Sequence, residues 1–224
     1  MQNYYLNKLA ADRLKYCYEI APDRVKQYLD AEINFVCNRL NQTDLVLELG
    51  CGYGRIIPKL AKSAKLIIGI DTSYSSLVTG KDMVKNFSNV YLLQMDAINL
   101  AFPDQSFDVV VCVQNGISAF QVDKVKLIQE SIRVTKHGGI VLFSSYSDKF
   151  WENRLEWFYL QAEAGLLGKI DTEKTKDGVI VCEDGFTATT VRLDEFQSLS
   201  SKLNVTTKIV EVDNSSVFCE MVPL

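Results

Sequence analysis

Apolar positions follow two rhythms along this chain. Through the first forty residues they recur at helical spacing: Leu6, Leu9, Ala10, Arg13 and Leu14 form one set, and Val25, Tyr28, Leu29, Ile33, Val36 and Leu40 a second. Each set lies on one face of a 3.6-residue repeat, so residues 3–40 read as helical. Pro22 stands between the sets, and its fixed φ suits the first position of the second helix. From residue 45 short apolar runs alternate with amphipathic segments. Strands are expected near 45–49, 66–70, 90–94, 107–113 and 139–145, and helices near 54–63, 74–86 and 122–135. That alternation favours a parallel sheet with helices on both faces. Ligands to such a sheet gather at the carboxyl ends of its strands, beside the switch in strand order.

After Ser145 the rhythm changes. Residues 149–166 predict an aromatic-rich helix with Trp151, Trp157, Phe158 and Tyr159. Val179-Ile180-Val181-Cys182 and Phe186-Thr187-Ala188-Thr189-Thr190 flank Glu183-Asp184-Gly185, whose Asp-Gly pair signals a hairpin. A helix near 193–203 and strands near 205–212 and 216–222 complete the pattern. No internal repeat, low-complexity tract or Pro/Gly-rich linker divides the sequence.

A length of 224 residues suits a single α/β domain with a sizeable core. The net charge of −4 is spread without a long basic run, which disfavours a nucleic-acid surface. No run of about eighteen apolar residues suits a membrane span, and Met1-Gln2-Asn3-Tyr4-Tyr5 lacks the layout of a signal peptide. A cytoplasmic protein is the expectation. The six cysteines (Cys17, Cys37, Cys51, Cys112, Cys182, Cys219) contain no Cys-x-x-Cys pair and read as buried thiols, with no metal site expected. The single histidine, His137, falls in a Lys-His-Gly-Gly stretch and reads as a turn residue.

The densest chemical signal is Val46-Leu47-Glu48-Leu49-Gly50-Cys51-Gly52-Tyr53-Gly54-Arg55. An apolar strand carrying an acid runs into three alternating glycines, a turn with little bulk that lets a ligand approach the backbone. The next apolar run ends in Asp71, twenty-one residues after Gly50, a spacing that suits hydrogen bonding to a ribose diol. A nucleoside site at the first strand–helix turn follows. The dinucleotide fingerprint requires a third glycine where Arg55 stands, and no Gly-Lys-Ser/Thr of a phosphate loop is present.

Over residues 45–145 the chain resembles the class I S-adenosylmethionine-dependent methyltransferases. Beyond the glycine turn, the resemblance is carried by Val90-Tyr91-Leu92-Leu93-Gln94-Met95-Asp96-Ala97, by Phe102-Pro103-Asp104-Gln105-Ser106-Phe107-Asp108-Val109-Val110, and by Arg133-Val134-Thr135-Lys136-His137-Gly138-Gly139, with His137 where proline is common. It implies a Rossmann-like, doubly wound seven-stranded sheet whose last strand pair is antiparallel. It also implies a division of residues 1–224, as one methyltransferase domain, into an N-terminal helical lid (1–40), a donor-binding core (45–145) and an acceptor-side cap with edge strands (146–224). The hairpin at about 178–191 would be an insertion beside the open end of the sheet.

The same resemblance implies S-adenosyl-L-methionine as donor and S-adenosyl-L-homocysteine as product. Glu48, Gly50, Cys51, Gly52 and Gly54 would wrap the methionine part. Asp71, with Thr72 beside it, would take the ribose hydroxyls. Asp96 would accept from the adenine amino group, and Ala97 would touch the ring. At the end of strand four, Gln114 would face the methionine part and Asn115 the acceptor, with loop capping an equal alternative for Asn115. The Asn/Asp-Pro-Pro-Tyr/Phe pattern of amino-methylating enzymes is absent there, as is the Pro-Cys pattern of RNA cytosine-C5 enzymes.

The expected reaction is in-line methyl transfer to a small-molecule acceptor, catalysed mainly by positioning and exclusion of water. A protein or RNA methyltransferase and a non-catalytic donor-binding module are the competing readings. No motif places a base, so Asn115, Tyr5 and Tyr146 are the candidate catalytic groups. Tyr4, Tyr5, Tyr16 and Tyr18 on the N-terminal segment and the hairpin after Trp157 are candidates to cover the acceptor. Core packing is the plainer reading for Tyr16, Trp157 and Phe158. Glu183 and Asp184 could meet a cationic acceptor or simply be solvated. Oligomeric state is left open.

Overall fold

The computed structural model describes Tyr4 and residues 8–224. Of the leading set, Leu6 lies outside the described residues, and Arg13 and Leu14 fall in helix α1 (Ala11–Glu19); the second set becomes α2 (Asp23–Cys37). Leu9 and Ala10 precede the first helix, Leu40 follows the second, and Pro22 sits one residue ahead of its expected place, at the N-cap of α2. Strands β1 (Leu45–Leu49), β2 (Leu66–Asp71), β3 (Val90–Gln94), β4 (Phe107–Cys112) and β5 (Thr135–Tyr146) then alternate with α3 (Ile57–Leu60), α4 (Tyr74–Val84), α5 (Gly116–Ala119) and α6 (Lys124–Val134). A 3₁₀ turn (Asp148–Phe150) leads into α7 (Trp151–Glu163), followed by β6 (Ile180–Val181), β7 (Thr187–Ala188), α8 (Leu193–Ser200), β8 (Val205–Val212) and β9 (Ser216–Pro223).

Seven strands form one sheet in the order β3-β2-β1-β4-β5-β9-β8. The first five pair in parallel, whereas β9 runs antiparallel between β5 and β8. This is the Rossmann-like, doubly wound arrangement with an antiparallel last pair. Strand order reverses between β1 and β4, so the chain leaves their adjacent ends in opposite directions and opens a crevice there.

Both faces of the sheet are covered. On one, Leu47, Leu49, Val110 and Cys112 pack with Leu127 and Ile128 of α6 and Phe196 of α8. On the other, Val46, Ile67, Val109 and Val111 meet Ile33 and Val36 of α2, Ile57 and Leu60 of α3 and Leu77 of α4. Each such side chain contributes about 1.5–3 kcal/mol on burial. A third cluster lies beyond the sheet, where Cys17 of α1, Phe158 of α7 and Ile180, Cys182 and Phe186 of the hairpin pack together.

Three differences from the sequence reading have local causes. The helix expected at 54–63 shrinks to Ile57–Leu60, because Gly50, Gly52 and Gly54 hold φ of 72°, 55° and 77° and the chain is still turning. β5 starts at Thr135, since Phe107 pairs with Thr135 before the register jumps to Val109 and Ile140. Tyr16, read as a core residue, is 46% exposed; Cys17 beside it takes the buried side of α1.

Candidate functional site

A cavity of about 270 Å³ opens at the carboxyl ends of β1, β2 and β4. One wall is the glycine turn with the residues that follow β2, β3 and β4: Glu48, Gly50, Cys51, Gly52, Asp71, Thr72, Asp96, Ala97, Gln114 and Asn115 all line it. Gly54 does not. It lies behind the turn, where its N–H donates to the Cys51 carbonyl at 2.8 Å. The opposite wall comes from α1, α7 and the hairpin, through Leu14, Cys17, Tyr18, Trp157, Phe158, Gln161 and Thr187 to Thr189. Tyr146 joins this wall, and Tyr5 lies outside the described residues.

Asp71 ends β2 and ties the turn together. Its Oδ2 accepts from the Gly52 N–H at 2.8 Å and its Oδ1 from the Ser73 N–H at 2.8 Å. Burial raises its carboxyl above the usual range, while those N–H groups pull it down. Asp96, after β3, is exposed and takes the Ile98 N–H at 3.1 Å.

Glu48 is buried and its Oε2 has no hydrogen-bond partner among the described residues. Burial pushes its carboxyl up to about 8; Arg55 opposes that rise and Asp71 reinforces it. The Arg55 guanidinium lies 4.1 Å from the Tyr18 ring centre and donates to Gln114 Oε1. Gln114 Nε2 is likewise buried without a partner among the described residues.

Gln114 and Asn115 carry consecutive left-handed φ values of 56° and 63°. Each such residue costs about 1–3 kcal/mol and persists only where its surroundings hold it. The Gln114 N–H donates to Glu32 Oε2 at 2.7 Å and to Ser144 Oγ at 2.8 Å. Asn115 Nδ2 donates to the Thr189 carbonyl at 2.9 Å, and its Oδ1 accepts from Ser145 Oγ at 2.7 Å. Asn115 therefore joins β4 and β5 to the strand that leaves the hairpin.

Further contacts tie the opposite wall together. Trp157 Nε1 donates to the Cys17 carbonyl at 2.9 Å, joining α7 to α1. Arg154, 1% exposed, donates to the Gly178 carbonyl at 2.8 Å and lies 4.6 Å and 5.4 Å from the ring centres of Tyr146 and Phe158. Asp184, one of the acids at the hairpin tip, is committed to Tyr4 at 2.7 Å and Lys8 at 3.4 Å. His137 is exposed and lies away from the cavity.

The sequence reading passed over Glu32, Arg55, Arg154 and Gln161. A signal existed for three of them. Glu32 interrupts the apolar stripe Val25, Tyr28, Leu29, Ile33 and Val36, while Arg154 and Gln161 share a face with Trp157 and Phe158. A polar residue in such a stripe is buried and needs a reason. Among the described residues no group of three or more His, Cys, Asp or Glu side chains is arranged to hold a metal ion, and no helix is long and apolar enough to cross a membrane.

Residues 46–139 match the family model described as a methyltransferase domain. The 2-methyl-6-phytyl-1,4-hydroquinone methyltransferase of Synechocystis is 29% identical over 148 residues, 58% of this chain and 46% of that protein. The demethylmenaquinone methyltransferase of Geobacillus stearothermophilus is 36% identical over 109 residues, 46% of this chain and 45% of that protein. The chain thus spans about half the length of the curated relatives it matches. In fold it is similar along its whole length to the PH0226 protein of Pyrococcus horikoshii, with a TM-score of 0.68 at 20% identity, covering 100% of this chain and 99% of that one. The match of the glycine-turn core to the family model, the named relatives and the sheet order agree: over residues 46–139 the chain is similar to the class I S-adenosylmethionine-dependent methyltransferases.

Proposed function

We propose that this chain moves a methyl group from S-adenosylmethionine to a small-molecule acceptor held under the α1–α7–hairpin cap. The observation that carries the proposal is one cavity with two unlike walls. A polar wall meets the glycine turn, and an apolar, aromatic wall faces it. The residues fit the donor. Glu48 Oε2 and Gln114 Nε2 are buried and unpartnered among the described residues, and an amino acid's ammonium and carboxylate would supply what they lack. Asp71 would take the ribose hydroxyls with the lone pairs not given to Gly52 and Ser73, Thr72 would lie beside it, and Asp96 and Ala97 would meet the adenine. Gly50, Cys51 and Gly52 would bring backbone close to the methionine part, with Gly54 shaping the turn from behind.

The donor supplies an electrophilic methyl group. What remains for the protein is to align the acceptor and exclude water, and alignment alone is worth about 7–11 kcal/mol in well-oriented systems. Tyr18, Trp157 and Phe158 would exclude water, while Asn115 would hold the hairpin over the end of β4. Tyr146 stays a candidate to touch the acceptor, with burial holding its hydroxyl protonated. The named relatives are a 2-methyl-6-phytyl-1,4-hydroquinone methyltransferase and a demethylmenaquinone methyltransferase, which supports a small-molecule acceptor here. A cytoplasmic setting suits the six free cysteines. The alternatives, a protein or RNA methyltransferase or a binding module without turnover, have no such carrying observation.

Incubation of the purified chain with methyl-labelled S-adenosylmethionine and a fractionated metabolite extract tests the proposal. Label should enter a small molecule. Failure of S-adenosylhomocysteine to bind in calorimetry would overturn the donor assignment, and label appearing only in protein or RNA would overturn the acceptor class.

A further inference from the structure

We infer that the acceptor is an uncharged molecule with a flat apolar body and one hydroxyl, carbonyl or amide group, and that Gln161 reads that group. This rests on the methyl-transfer reading and adds the substrate class and a specificity residue. Gln161 lines the cavity from α7 and is 4% exposed. Its side-chain amide makes no hydrogen bond among the described residues. Its polar atoms face the cavity rather than the core, so a ligand that displaces water from them must offer one donor or acceptor in its place. The same cavity is lined by Leu14, Cys17, Trp157, Phe158 and Ala188, a surface suited to a ring.

Charge is excluded from this end of the cavity on both signs. The charged side chains that line it (Glu48, Arg55, Asp71, Asp96) all belong to β1, the glycine turn, the end of β2 or the residues after β3. Among the described residues no carboxylate of α1, α7 or the hairpin lines the cavity to pair with an ammonium. An acceptor carboxylate fares no better, because Arg154 does not line the cavity, lies against the Tyr146 and Phe158 rings and donates to the Gly178 carbonyl. Trp157 has given its N–H to Cys17. The polar handle that remains on α7 is neutral and can both donate and accept.

The test uses four small probes of one shape: p-cresol, p-xylene, 4-methylbenzylamine and 4-methylbenzoate. Binding to the full chain is measured by calorimetry with and without saturating S-adenosylhomocysteine. The wild type should bind p-cresol, and bind both charged probes at least tenfold more weakly. Gln161→Leu should weaken p-cresol about tenfold while leaving p-xylene and S-adenosylhomocysteine affinities unchanged; Gln161→Met repeats the comparison if the leucine variant misfolds. No p-cresol binding, equal binding of a charged probe, or equal losses for p-cresol and p-xylene would each overturn the inference. Loss of S-adenosylhomocysteine binding with a Gln161-dependent p-cresol signal intact would overturn the methyl-transfer reading and leave the acceptor site standing.

Discussion

Glu32 Oε2 accepts the Gln114 N–H at 2.7 Å, so a helix from the first forty residues holds the tip of β4 in its left-handed turn. The carboxylate also takes the Ser144 hydroxyl at 2.8 Å, while its Oε1 is buried with no partner among the described residues. Burial pushes this group up to about 7, against the pull of those donors. Its folded form therefore holds a proton that the unfolded chain gives up near 4.5. The stability it lends is fully present below pH 4.5 and is lost as pH rises towards 7, beyond which the loss is constant. Glu32→Gln keeps an oxygen for Gln114 and Ser144 and removes the ionisation. Urea denaturation should show the variant more stable than wild type by up to about 3 kcal/mol at pH 8, with the gap closing near pH 4.5. A gap that did not change with pH would show that Glu32 does not titrate across this range.

Glu48 predicts a pH dependence of ligand binding. With its carboxyl raised to about 8, it is mostly protonated at pH 7 in the free protein. A ligand ammonium beside it favours the carboxylate, so binding should expel a proton. Affinity for S-adenosylhomocysteine should then rise from pH 6 to pH 8, by at most about tenfold per unit, and level off above. Calorimetry in two buffers of different ionisation enthalpy counts the proton directly. Glu48→Gln should abolish the release.

Asp71→Ala removes the acceptor for the Gly52 and Ser73 N–H groups together with the proposed ribose contact. Affinity for S-adenosylhomocysteine should fall by about 1–3 kcal/mol, the usual cost of leaving such partners unpaired. Unchanged affinity in a folded variant would remove Asp71 from the donor site.

Since His137 is exposed and does not line the cavity, it has no substrate to touch. His137→Ala should leave turnover within about twofold of wild type. A loss above tenfold in a folded variant would require a base that the described geometry does not supply.

The glycine-turn wall of the cavity was legible in sequence because backbone chemistry dictates it. A glycine turn after a buried strand and an acid ending the next strand have few other uses, and β1, β3 and β8 fall on their expected residues. The facing wall was less so, for a physical reason. It comes from α1, α7 and the hairpin, which meet across about 140 to 180 residues of chain in contacts such as Trp157 with Cys17 and Tyr4 with Asp184. Periodicity shows which face of α7 is buried, yet Trp157 and Phe158 turn out to serve core and cavity at once. Arg55 was read only as the residue standing where a dinucleotide fingerprint needs glycine, because its partners Tyr18 and Gln114 lie on other elements.

Asn115 offers a separation of anchoring from chemistry. Its amide bonds Thr189 at 2.9 Å and Ser145 at 2.7 Å, and Ser145 Oγ in turn accepts the Val191 N–H at 2.8 Å. Asn115→Ala breaks both side-chain bonds and places a Cβ residue without a local polar group at φ 63°. The lost bonds cost about 1–3 kcal/mol, and the left-handed backbone adds about 1 kcal/mol for alanine. Asn115→Gly breaks the same bonds without that backbone cost. Thermal denaturation should therefore rank wild type above Asn115→Gly and Asn115→Ala lowest, with S-adenosylhomocysteine affinity little changed in both. If both variants keep wild-type stability and lose only turnover, Asn115 acts on the acceptor and the hairpin is held by other contacts. If stability falls in the stated order and turnover falls with it, the hairpin's position over β4 is what the reaction requires.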